Sequence, residues 1–231
     1  MPGTVRLFRA SLAAPPVPRA ELADLLDDGE RARVERFKFP HLRERQQVAT
    51  GLLRFALGRL LDLDPRSLRF EVGEFGKPAL AEGPVFNLSH SGDWWLLGVA
   101  SGGRLGVDVE AHRTLADLES LARSTFQRDE AAEVTGHADP AERHRAFFRV
   151  WSRKEAFIKA VGMGLSYPLE GFRVASDARA NGGLCAVDDP AESVDRWTLR
   201  SVEWDPALSA AVAWDRPDAE VRWCTLGGGP A

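Results

Sequence analysis

An α+β fold is expected for this chain, and three observations predict it. Helical periodicity gives way to period-two alternation near residue 68 and again near residue 172, so an order of helices followed by strands occurs twice. A Gly102-Gly103 turn separates the two blocks. With 231 residues, 44% of them hydrophobic, the chain can build one large core or two small ones. We therefore expect two comparable halves, residues 1–103 and 104–231, each with helices packed on a small antiparallel sheet.

In chain order, residues 5–11 alternate as a first strand, and PPVP at 15–18 is a turn or linker. Residues 21–26 form a short helix. The segment ERARVERFKF from Glu30 carries Val34 and Phe37 on one face of a charged helix that Pro40 should break. A longer helix over 42–61 buries Val48, Leu52, Phe55, Leu57 and Leu60 and leaves a basic face outward. Residues 68–72 alternate, GEFGKPAL (73–80) holds a turn, and 85–88 with 94–100 are strands around Ser89-His90-Ser91-Gly92, together an antiparallel meander. Residues 105–110 are a further strand.

Helices resume over 115–134, and a mobile segment around 136–140 leads into FFRVWSRKEAFIKAVGMGL (147–165). There Phe147, Val150, Trp151, Phe157, Ile158 and Val161 recur at helical spacing until Gly162 and Gly164 end the helix. Strands are expected at 172–174, 197–202, 208–214 and 221–224, with turns at Asn181-Gly182-Gly183 and Asp188-Asp189-Pro190. The GGGPA tail should be disordered.

Composition excludes several function classes. A net charge of −4 gives no basic field for nucleic acid or an anionic membrane, so any anionic ligand must be held by a local cluster. The start lacks a sustained apolar segment, and the longest apolar run, 94–100, is too short to span a bilayer, which points to the cytoplasm. Cys185 and Cys224 have no metal-type spacing, and no His/Cys cluster supports zinc. No G-x-S-x-G elbow surrounds Ser89 or Ser91, and a P-loop is absent. Lysine is confined to Lys38, Lys77, Lys154 and Lys159 in an arginine-rich chain; either an ammonium is required at these places, where a guanidinium is not its equivalent, or the four persist by chance.

The candidate chemistry lies in three stretches. Glu155 and Lys159 are four apart and project from one flank of a helix, with Trp151 one turn earlier. Taken alone, they are more simply a solvated helix pair worth about 0.2–0.5 kcal/mol. Asp108 and Glu110 share one face of a strand, about 7 Å apart. They are either its exposed polar side or two ligands for a hard cation. Three carboxylates converging without countercharge would repel, and Mg²⁺ is the natural ion to resolve that. Lys77 between Gly76 and Pro78, and Ser89 with His90 after Asn87, could donate to phosphate oxygens; an exposed turn lysine and polar strand ends are the plainer alternatives. Arg33 is a further possible anion contact or a simple surface charge.

Read together and in this order, GKPAL, FNLSHSG, LGVDVE and FFRVWSRKEAFIKAVGMGL resemble the motifs of the 4′-phosphopantetheinyl transferases, in their large monomeric class that activates peptide and polyketide synthetases and fatty-acid carrier proteins. The resemblance implies transfer of phosphopantetheine from coenzyme A to a serine of an acyl or peptidyl carrier protein, with release of 3′,5′-ADP. It implies two similar subdomains related by a pseudo-two-fold axis, coenzyme A between them, and a monomer. The N-terminal half would bind coenzyme A, and the C-terminal half would carry the metal and the catalytic helix. Matched by position, Asp108, Glu110 and Glu155 are the implied Mg²⁺ ligands, and the metal would bridge the coenzyme A diphosphate. Glu155 is also the implied base for the serine, directly or through a metal-bound water, and Lys159 the group that assists the leaving diphosphate. Arg33, Gly76, Lys77, Pro78, Asn87, Ser89 and His90 fall at coenzyme A positions, Arg33 toward the 3′-phosphate. Gln46 departs from the small hydroxyl residue of some relatives, and residues 111–127, implied to dock the carrier, follow no sharp pattern. Arg113, Arg123 and Arg128 could meet an acidic carrier surface. A chain of this fold that only binds its ligand remains an alternative; the intact Asp108, Glu110, Glu155 and Lys159 argue against it.

Overall fold

The computed structural model describes residues 3–73, 76–177 and 183–226. The tail from 227, residues 181 and 182 of the Asn181-Gly182-Gly183 turn, and residues 74 and 75 of GEFGKPAL lie outside the described residues. The chain runs β1 (Thr4–Ser11), α1 (Arg19–Asp24), α2 (Asp28–Glu35), α3 (Pro40–Leu61), β2 (Phe70–Val72), β3 (Pro78–Leu80), β4 (Val85–Ser91), β5 (Trp94–Ala100), β6 (Leu105–Ala111), α4 (Leu118–Thr125), α5 (Arg128–Gly136), α6 (Pro140–Val161), β7 (Phe172–Val174), β8 (Leu184–Val187), β9 (Thr198–Ser201), β10 (Leu208–Trp214) and β11 (Glu220–Cys224). This is the expected α+β class. Among the described residues no helix is long and apolar enough to cross a membrane.

Several local expectations need correction. Pro40 starts α3 and does not merely end the helix before it, because proline's missing N–H is harmless at the first helical position. Phe37 is 37% exposed: α2 stops at Glu35, so the periodicity that buries Val34 ends before Phe37. Phe55 and Leu60 on α3 are half-buried, whereas Val48, Leu52 and Leu57 are fully inside. The helical stretch 115–134 is two helices. Asp117 caps the first by accepting from Ser120 N–H, and Gln127 opens a capping box with Glu130 for the second. The helix over 147–161 begins earlier, at Pro140 as α6, capped by Asp139, so the segment expected to be mobile shrinks to a short connection. Residues 68–100 are not one meander. β2 and β3 form their own hairpin sheet, while β4 and β5 join a larger one, and β8 is an unexpected partner for β7.

The two main sheets have orders β11-β1-β5-β4 and β6-β10-β9. Within them β1–β5–β4 and β6–β10–β9 run antiparallel in the same sequence of roles, first strand, then last, then middle. The helices repeat as well. α3 and α6 are each 22 residues long, start a hundred positions apart on Pro40 and Pro140, and end on left-handed caps at Asp62 and Gly162. The exception is β11. It crosses the 103/104 boundary to pair in parallel with β1.

Three apolar clusters hold these layers. Leu52, Leu53 and Leu57 of α3 pack with Phe8, Trp95 and Leu97; Phe148, Phe157 and Ile158 of α6 pack with Leu199, Ala211 and Ala213; Val5, Leu7, Leu96, Val107, Val109 and Val212 join the sheets. α6 lies hard against β6 at Gly106, where an added Cβ would sit 2.0 Å from the Ala156 carbonyl oxygen and 2.5 Å from Ala160 N. Neither backbone atom can move without shifting the helix. Gly106→Ala is therefore expected to destabilise the fold by about 3 kcal/mol, read as a lower midpoint in urea, and to displace the α6 side chains that face β6.

Candidate active site

β4 and β6 belong to different sheets, yet they are stitched together by side chains. Val107 N–H donates to Asn87 Oδ1 (2.8 Å), Val109 N–H to Ser89 Oγ (3.3 Å) and Ala111 N–H to Ser91 Oγ (3.2 Å). The other edge of β6 is paired with β10, so these donors would otherwise be buried without partners. Alternation puts residues 87, 89 and 91 on one side of β4, matching the alternation of β6.

The acidic side chains gather along this seam. Ser89 Oγ donates to Asp108 Oδ1 (2.9 Å), and Ser91 Oγ donates to Glu110 Oε2 (2.9 Å). Trp151, one of the apolar residues that recur along α6, donates its indole N–H to Glu110 Oε1 (3.1 Å) and stacks on Phe147. From α6, Lys159 Nζ reaches Asp108 Oδ1 at 2.6 Å and Ser89 Oγ at 3.0 Å. The simple surface pair of Glu155 with Lys159 is thus overtaken: Lys159 spends its charge across the seam on a 3% exposed Asp108.

That leaves Glu155 short of countercharge. Its pKa is pushed up to about 7, first by burial and then by Asp108, with Lys159 opposing and Glu110 adding to the rise. Glu110 shifts upward too, by burial and then Asp108. A carboxyl that holds its proton better folded than unfolded contributes stability that is present below the ordinary carboxylate range and lost as pH rises through about 7. In chelator, the wild-type melting temperature should therefore fall between pH 5 and pH 8 more steeply than that of Glu155→Gln. Parallel curves would contradict the shifted Glu155.

The chain's oxygen donors fit a hard cation in chemistry. Asp108 Oδ2 is buried with no hydrogen-bond partner, and it adjoins two carboxyls that repel it. Among the described residues, no three His, Cys, Asp or Glu side chains already converge as a ligand cluster, and Lys159 occupies Oδ1. A cation would thus meet donors that still have to close around it.

Other expected contacts are distributed unevenly. Lys77 does not point freely outward: its ammonium donates to Leu105 O (2.7 Å) and Lys159 O (2.8 Å), tying the hairpin to the last turn of α6, and burial lowers its pKa to about 8. One donor is left for an anion. Gly76 takes a positive φ of 80° with open space around it, and Pro78 starts β3. His90 is exposed beside the seam; its pKa is lowered by the protein that flanks it and then by Lys159. Arg33 is exposed on α2 and makes no ion pair among the described residues. It is not drawn into the seam. Ser91 and the indole of Trp151 went unforeseen as carboxylate partners. The polar residues at every second position of β4 were the available signal.

The β4–β6 seam thus brings serines, carboxylates and a lysine from β4, β6 and α6 together in a two-block α+β chain. Comparison with known proteins gives the class its name: a sequence model of the 4′-phosphopantetheinyl transferase superfamily matches residues 104–213, and the chain belongs to that family of transferases. It is 34% identical to 4′-phosphopantetheinyl transferase HetI of Nostoc sp. (strain PCC 7120) over 90% of this chain and 86% of that one. It is also similar to 4′-phosphopantetheinyl transferase psf-1 of Bacillus pumilus (36%, covering 82% and 79%) and to Sfp of Bacillus subtilis (strain 168) (31%, covering 82% of each).

Proposed function

We propose that this enzyme transfers the 4′-phosphopantetheine group of coenzyme A to a serine hydroxyl of an acyl or peptidyl carrier protein, releasing 3′,5′-ADP, and that it does so with Mg²⁺ as a cytoplasmic monomer serving peptide or polyketide synthesis. The observation that carries the reading is the meeting of Asp108, Glu110, Glu155 and Lys159 at the β4–β6 seam beneath α6. Family membership supplies the class of reaction. The matching order of strands in the two blocks supports the pseudo-two-fold arrangement, with the substrate between the halves.

The residues have separable tasks. Glu155 accepts the serine proton, directly or through a water, as the serine oxygen bonds to the phosphorus that carries pantetheine. As the bond from that phosphorus to the 3′,5′-ADP oxygen breaks, Lys159 moves its ammonium from Asp108 to the departing oxygen. Asp108, Glu110 and Glu155 would hold Mg²⁺, which when bound neutralises diphosphate charge as a Lewis acid. Trp151 and Ser91 fix Glu110 from two sides, and Ser89 fixes Asp108. Lys77 holds the end of α6 and offers its remaining donor to a phosphate oxygen. Release of 3′,5′-ADP in step with carrier consumption tests the reaction; coenzyme A bound tightly without such release, for every carrier tried, would favour a binding protein.

Carrier docking belongs to the same proposal. Arg123 and Arg128 line one cleft beside Phe126, between α4 and α5, while Arg113 is drawn toward Glu110 at 3.5 Å. Reversing the charge at Arg123 and Arg128 is expected to raise KM for an acidic carrier about tenfold and to weaken its salt dependence. An unchanged KM would remove this surface from the account.

A further inference from the structure

Lys159 and Asp108 meet from two backbones that have no room to slide. The Ala156 carbonyl and the Ala160 amide of α6 press on Gly106 of β6 so closely that an added Cβ would meet them at 2.0 and 2.5 Å. Lys77 holds the Lys159 carbonyl at 2.8 Å, and Gly162 closes α6 in a left-handed cap three residues later. Any change between Lys159 and Asp108 therefore falls to their side chains.

Those side chains differ in freedom. Asp108 is enclosed, and its Oδ1 accepts from Ser89 (2.9 Å) and from Lys159 (2.6 Å). The Lys159 side chain is 28% exposed, and its charge reaches the exposed His90, whose pKa is lowered by the protein that flanks it and then by this ammonium. The lysine can swing outward, and the aspartate cannot follow.

A hard cation drawn to Asp108 Oδ2, buried without a partner beside Glu110 and Glu155, would put two positive charges on one carboxylate. At a separation of a few Å in a seam of low dielectric, such charges repel strongly, so ammonium and cation compete. The residue type sets how that competition ends. An ammonium is a point charge, and here it leaves Oδ2 unclaimed. A guanidinium fork in its place would take both oxygens. Lysine stands at four positions among 30 Lys and Arg residues, and at 159 the difference has a consequence.

We infer that Lys159 is a displaceable counter-ion of Asp108: it yields the carboxylate to an incoming divalent cation, and the exchange frees its ammonium to meet the departing oxygen. The fate of the freed ammonium rests on the transferase reading above; the exchange itself rests on the Lys159–Asp108 contact.

Calorimetric titration with Mg²⁺ alone, without coenzyme A, tests the exchange at pH 8, above the Glu155 pKa of about 7, where protons compete little for the carboxylates. Lys159→Gln removes the charge but keeps a donor for Asp108. It should bind Mg²⁺ about tenfold more tightly than wild type, the size of one charge-assisted contact that no longer has to be broken. Lys159→Arg should bind it more weakly than wild type. A second readout needs no substitution: in wild type, Mg²⁺ should raise acetic anhydride labelling of Lys159 relative to the exposed Lys38. Affinities out of the order Lys159→Gln, wild type, Lys159→Arg, or Lys159 labelling that bound Mg²⁺ does not raise, would overturn the inference. No Mg²⁺ binding by any of the three proteins would overturn the reading of Asp108 as a cation ligand and the exchange with it. Exchange in a wild type that releases no 3′,5′-ADP would overturn the transferase reading alone.

Discussion

Glu155→Gln is expected to lower kcat about 10³-fold, within the range for loss of a general base, while raising the melting temperature of the metal-free protein at pH 8. Both effects have one cause. Burial and the Asp108 carboxylate make the ionised Glu155 unfavourable, and its pKa of about 7 records that strain. Glutamine keeps the shape and removes the charge, so the fold relaxes and the base disappears. A variant that lost activity through misfolding would lose stability as well. Opposite signs for activity and stability, measured on one preparation, separate a catalytic role from a structural one.

Asp108→Asn is the second large effect. Asp108 is almost wholly enclosed, and its Oδ1 accepts from both Lys159 and Ser89 while Oδ2 has no partner. Asparagine can still accept those hydrogen bonds, but it brings no charge for a cation and lets the Lys159 ammonium drift. We expect at least about a 10³-fold loss of transfer, equivalent to several kcal/mol of transition-state stabilisation. The stabilisation of wild type by Mg²⁺ in thermal melts should vanish with it. Retained activity would show that the seam's innermost carboxylate is only a structural partner of Lys159.

Local periodicity was enough to reveal much of this site. Asp108 and Glu110 share a strand face because strands alternate, and Glu155 lies one turn from Lys159 because helices repeat every 3.6 residues; both facts survive into the structure. What periodicity could not supply is long-range pairing. β11 returns to β1 across almost the whole chain, and no local pattern in 220–224 announces that partner. The seam has the same origin: Asn87, Ser89 and Ser91 alternate visibly, but their acceptor role depends on β6 arriving with an unpaired edge. Lys77 shows the limit for single residues. A lysine between glycine and proline suggests an outward-pointing charge, yet two carbonyls at the end of α6 and the start of β6 capture it. Pro40 is ambiguous in the sequence because a helix breaker and a helix starter are the same residue, and only the end of the neighbouring segment decides between them.

The central claim is that the carboxylates at the β4–β6 seam, with Lys159, move phosphopantetheine onto a carrier serine. Intact mass spectrometry of apo carrier proteins incubated with coenzyme A, Mg²⁺ and enzyme tests it most directly. Wild type should add one phosphopantetheine mass to at least one carrier, and Asp108→Asn and Glu155→Gln should add none in the same time. Carriers left unmodified by wild type across a broad panel, or modified equally by all three proteins, would contradict it.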